Sequence, residues 1–172
     1  MGNANSSDSL ARFRSAQSQP DSGYAAALAE IRAGRKRSHW IWYIFPQIRG
    51  LGYSSMSARY AIASAAEAEA YLLDPVLGER LSEITRALEG HVCAATRPRS
   101  LDEVLGDIDA MKVVSSLTLF AEVARGLAGD PPPWVTSFRA SADRVLDAAA
   151  RAGRARCAFT LRELASPQET IS

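Results

Sequence analysis

The chain has 172 residues, 47% of them hydrophobic, enough for one domain with a sizeable core and too few for two comfortable ones. Lys and Arg total 20 against 19 Asp and Glu, and this balance excludes both an acidic disordered chain and a globally basic nucleic-acid binder. The longest apolar run, Trp40 to Phe45, falls far below the roughly 20 residues of a transmembrane helix, and Cys93 and Cys157 lie far apart without metal-ligand spacing; a soluble cytoplasmic protein with reduced thiols, no metal and no cofactor is expected.

Residues 1–8 are small and polar and read as a disordered tail, residues 9–165 as a single globular domain, and residues 166–172 as a second tail. Gly2 with Ser6 and the Asn5-Ser6-Ser7 triplet formally match acylation and glycosylation patterns, and both read as chance matches in a low-complexity start. Asp21 or Ser22 can cap a helix in which Tyr24, Leu28 and Ile31 recur at helical spacing until Gly34 stops it. Trp40 to Phe45 lacks polar alternation and ends at Pro46, so periodicity leaves buried strand and buried helix both open.

Ser64 with Glu67 and Ser100 with Glu103 have capping-box spacing, which marks two further helix starts. Asp74-Pro75 marks another, and Leu77, Leu81, Ile84 and Leu88 trace its apolar stripe as far as Gly90. Between Met111 and Leu127, apolar residues every three or four positions predict a mostly buried helix. Pro131-Pro132-Pro133 is a loop, followed by a helix to about Ala152 and a last short one around Leu161. The expected fold is mainly α, a single compact helical domain with at most a small sheet.

From Ile31 to Ala66 there is no acidic residue, while Arg32, Arg35, Lys36, Arg37, Arg49 and Arg59 are all present with His39. This cationic stretch adjoins Trp40, Trp42 and Tyr43, and cations beside flat aromatic faces suit a ligand that joins phosphate to a base. The same residues also fit a core aromatic cluster behind a solvated basic turn, the reading that composition alone favours. Gly50-Leu51-Gly52 with Ser54 and Ser55 before a helix can hold an anion, or can simply be a turn with a serine cap. Asp107 and Asp109 precede Lys112 and Ser116: either carboxylate can cap the coming helix, or Asp109 can orient water while Lys112 and Ser116 face a ligand one turn apart.

Arg12-Phe13 with Ala16-Gln17, the run from Gly34 to Gln47 (GRKRSHWIWYIFPQ), Arg59-Tyr60-Ala61-Ile62, Asp74 to Gly78, and Asp109-x-x-Lys112 leading into Ser115 to Phe120 resemble one bacterial family, the domain of unknown function 1810 family, whose members are often labelled calpastatin. The resemblance spans roughly residues 10 to 125. The chain departs from the family pattern in carrying Ser18 to Gly23 as an insertion, and Cys157 stands near an expected aspartate. The family in turn resembles the NADAR (NAD- and ADP-ribose-associated, YbiA-like) superfamily, whose members are mainly helical and hydrolyse N-glycosidic bonds.

That resemblance implies a metal-independent hydrolase of an N-glycosidic bond in a phosphorylated ribosyl or ADP-ribosyl compound, free or on a macromolecule. Asp109 and His39 are the candidate catalytic groups. Arg35, Lys36, Ser38, Trp40, Trp42, Gln47, Tyr60, Lys112 and Ser116 are the candidate ligand shell. A non-catalytic module for ADP-ribose or an NAD-type nucleotide, and a structural or interaction protein, are the alternatives.

Overall fold

The computed structural model describes residues 9–166; the Gly2 and Asn5 patterns and most of both expected tails lie outside the described residues. Among these residues the helices are α1 (Ala11–Gln17), α2 (Tyr24–Arg32), α3 (Ile41–Ile44), α4 (Ser55–Arg59), α5 (Ala65–Leu73), α6 (Leu77–Val92), α7 (Leu101–Leu105), α8 (Asp107–Gly126), α9 (Pro133–Arg151) and α10 (Ala158–Ala165). Among the described residues the β content is an isolated parallel bridge between Ile48 and Ile62, with no sheet, and the fold is all-α. None of the helices is long and apolar enough to cross a membrane.

A helix that is apolar around most of its circumference must be enclosed by others. α8 is that helix: Val113, Leu117, Leu119 and Phe120 are all fully buried, and α3, α5, α7, α9 and α10 pack around it. The Phe120 ring lies 5.0 Å from that of Tyr71 of α5, tilted by 40°, and meets Phe138 of α9 edge-on at 6.4 Å. The buried Thr118 hydroxyl donates to Val114 O at 2.7 Å and accepts the Cys157 N–H at 3.1 Å, which ties α10 to α8. α9 lies along α6 and completes the core.

Several starts follow the local chemistry expected of them. Ser100 with Glu103 closes a full capping box, and Asp74 accepts the N–H groups of Val76 and Leu77 at 3.0 and 2.9 Å, but Pro75 lies in the turn before the helix, which begins at Leu77, and does not take its first position. Ser64 caps α5, but the Glu67 carboxylate turns to the Ala63 N–H and to Arg12 instead of completing the box.

Other boundaries differ. Gly23, not Asp21 or Ser22, precedes α2, and a Cβ there would lie 2.3 Å from Gln19 O. Trp40 to Phe45 resolves as the single turn α3, and α6 runs through Gly90 to Val92. α8 begins at Asp107, four residues before the apolar pattern, because Gly106 at φ +83° turns the chain sharply out of α7.

Phe120→Ala should lower the unfolding free energy by about 3–5 kcal/mol, since it leaves a cavity at the most enclosed point of α8. Urea unfolding should show a lower midpoint with an unchanged slope.

Candidate functional site

The basic stretch after α2 is shaped by an acidic residue immediately before it. α2 ends in a Schellman motif: the Gly34 N–H bonds Ile31 O at 2.8 Å, the Arg35 N–H bonds Glu30 O at 3.1 Å, and Gly34 supplies the required φ of +77°. The Glu30 carboxylate then accepts the N–H groups of Arg37 (2.6 Å) and Ser38 (3.1 Å), the Ser38 hydroxyl, and the Trp40 indole N–H (2.9 Å). A carboxylate near a helix C-terminus faces an unfavourable dipole. Partial burial also pushes Glu30 up, yet hydrogen bonds from Ser38, Arg37 and Trp40 outweigh burial and bring the carboxyl down to about 2.

Lys36 is delivered by this clamp. Its N–H bonds Val104 O in α7 at 2.8 Å, and its ammonium reaches the Ser38 carbonyl and Asp109 Oδ2, the latter at 2.8 Å. Asp109 lies in the first turn of α8, and its other oxygen meets Lys112 one turn on at 3.4 Å. The side chains of Lys36 and Asp109 are only 8% and 18% exposed, so this pair is shielded more than an ordinary surface ion pair. Lys112 also stands 4.9 Å from the centre of the Trp42 ring, a cation–π distance.

Lys36, His39, Trp42, Asp109 and Lys112 line one cleft of about 490 Å³, with Asp107 and the largely exposed Ile108 at its edge. Its size does not distinguish it, because hollows of about 460–470 Å³ occur beside Arg12, Arg99 and Trp134. Its chemistry does: two ammonium groups, two carboxylates, an imidazole and an indole converge there.

The other candidates are placed elsewhere. Trp40 is fully buried with its N–H on Glu30, so it presents no face to a ligand. The Ser38 hydroxyl is committed to the same carboxylate, and Arg35 is exposed outside the cleft lining. Gln47 and Tyr60 lie behind Trp42, around a recess that shares Trp42 and Lys112 with the cleft. Ser116 is fully buried one turn beyond Lys112 and lines neither hollow.

Of the six cations in the acid-free stretch, only Lys36 enters the cleft; Arg32, for example, pairs with Glu83. Asp107 and Asp109 do not cap α8, since Gly106 occupies that position without a side-chain bond, and Asp107 pairs with Arg154 instead. Cys157 is half-buried against α8, away from the cleft lining. Burial pushes its thiol up, but hydrogen bonds from Ser115, Thr160 and the Phe159 N–H hold it below the usual range. Among the described residues, no three His, Cys, Asp or Glu side chains converge as a metal site.

Glu30 was not among the candidates, although its position gave a signal: it is the last acid before a helix stop, a run of cations and two indoles. Because folding lowers its pKa, Glu30 contributes stability that is complete above the ordinary value of about 4.5 and is lost as pH falls towards about 2. Urea midpoints measured across that window should fall more steeply for the natural protein than for Glu30→Gln. At neutral pH the variant should already be destabilised, by about 1–3 kcal/mol for a buried donor left unpaired.

No curated protein matches the chain. It is similar to a crystal structure, at 1.38 Å, of the conserved hypothetical protein Rv1873 from Mycobacterium tuberculosis, with 36% sequence identity and a TM-score of 0.70 over 91% of this chain and 96% of that one. The model of the family described as "Protein of unknown function (DUF1810)" matches residues 7–130, which include the Glu30 clamp and every residue lining the cleft, and the chain belongs to that family.

Proposed function

We propose that the cleft receives a phosphorylated ribosyl or ADP-ribosyl compound, carried on a small molecule or a macromolecule, and that the protein hydrolyses its N-glycosidic bond. The observation that carries this reading is the Lys36–Asp109–Lys112 array beside the Trp42 ring. An ammonium group has three N–H donors. Lys36 uses two of them, on Ser38 O and Asp109, and Lys112 uses one on Asp109, so both retain donors for phosphate oxygens. Trp42 offers the only indole face in the cleft lining for a base.

In this scheme Asp109 orients a water with the lone pairs its lysines leave open. The water oxygen bonds to the anomeric carbon as the carbon–nitrogen bond breaks and gives up its proton through Asp109 to solvent, while His39 at the rim supplies the proton that the departing base takes up and is reprotonated from solvent. The remote resemblance to the NADAR superfamily supports the same chemistry. A cytoplasmic location and the absence of long nucleic-acid binding belong to this proposal, and the dispersal of the other basic side chains favours the second.

One observation favours a second reading, binding without turnover: both Asp109 oxygens already face ammonium groups, which offsets the charge a developing cation would use. Incubation with ADP-ribosylated DNA and with ribosylaminopyrimidine phosphates, assayed for released sugar phosphate, separates the two. The natural protein should turn over one class, and Asp109→Asn should slow it by about 10²–10⁴-fold. Lys36→Gln should weaken calorimetric binding by roughly ten- to a hundredfold, the worth of one charge-assisted hydrogen bond. Binding without product would establish the second reading, and neither binding nor product would contradict both.

A further inference from the structure

Trp42 carries an unmet hydrogen bond. Its indole Nε1 is buried and finds no acceptor on the protein, whereas the corresponding atoms of Trp40 and Trp134 reach Glu30 and Leu72 O, each at 2.9 Å. A buried donor left unpaired is costly, and about nine in ten buried polar groups in folded proteins have a partner. Among the described residues, buried polar atoms of Thr85, Ser116, Arg156 and Thr160 share this state, but Trp42 also lines two adjoining hollows, from which a partner outside the chain can meet its N–H.

The recess behind Trp42 has room for one. It measures about 10 Å³ and is lined by Trp42, Gln47, Ser57, Tyr60 and Lys112 among others. That is about the space of a single water, and a water is held stably where two to four polar groups surround it. No carboxylate lines the recess, and its polar groups include acceptors as well as donors: the Ser57 hydroxyl, already 2.9 Å from Ser54 Oγ, and the Gln47 side-chain carbonyl.

We propose that this recess is a water site: one resident water accepts the Trp42 indole N–H and a Lys112 N–H, and donates to Ser57 or Gln47. The same indole and the same ammonium line the larger cleft. The water then acts as a peg that sets the plane of the Trp42 ring and the direction of Lys112. This deepens the reading of the cleft as a base-and-phosphate site and rests on that reading only for its consequence. The water site itself needs no substrate.

The test is a high-resolution crystal structure of the ligand-free protein, with a second crystal soaked in bromide. The expected result is one density peak about 2.7–3.2 Å from Trp42 Nε1, with no anomalous signal after the soak. In Trp42→Phe the peak should vanish while the ring stays in place, and in Ser57→Ala it should weaken or shift. An empty recess, a protein acceptor on Nε1, or anomalous bromide density in the recess would overturn the proposal. Because no substrate is present, a failure here is distinct from a failure of the hydrolase reading.

Discussion

The candidate site depends on one carboxylate accepting four hydrogen bonds. Glu30 stands at the end of α2, and the donors it gathers come from Arg37, Ser38 and Trp40. A segment carrying Arg35, Lys36 and Arg37 in succession would repel itself and extend into solvent if it had no anchor. With the anchor, its backbone closes over α2, Trp40 is buried in the core, and the Lys36 ammonium lies over the Trp40 ring at 4.9 Å while it reaches Asp109 of α8. The clamp thus sorts adjacent side chains between core, solvent and cleft.

What Lys36 meets is equally constrained. The first turn of α8 is exposed at Asp107 and Ile108, but the fully buried Ala110 and Val113 seat the helix in the core, so Asp109 is held on a packed helix rather than on a loop. Sites built on rigid elements hold their geometry better than sites on loops. Lys112 completes the array from the same helix, three residues on, where neighbouring turns bring side chains together. The result is a nearly charge-balanced cleft: its directional donors and its indole face, not a large positive field, are what it offers a ligand.

The helical character of the chain is legible from spacing and caps, and the sequence candidates Asp109, Lys112, Trp42 and Lys36 lie on one hollow. What could not be read was direction. Trp40 and Trp42 sit two residues apart in a run with no polar alternation, and nothing in that run distinguishes the indole that is buried from the one that faces the cleft. Arg35 and Lys36 are likewise adjacent and similar in charge, yet only a tertiary hydrogen bond to Val104 O decides which of them points at α8. The start of α8 was misplaced because its first turn is polar and is set by the Gly106 backbone, a signal that hydrophobic periodicity does not register.

The amides of Arg37 and Ser38 report the clamp directly, because each bonds to the Glu30 carboxylate and neither belongs to a helix. Hydrogen exchange of these two amides, resolved by NMR, is the most direct measurement of the central claim. The account predicts that both are protected in the natural protein and exchange freely in Glu30→Ala, while the amides at the centre of α8 keep their protection in both. Free exchange of Arg37 and Ser38 in the natural protein would contradict it.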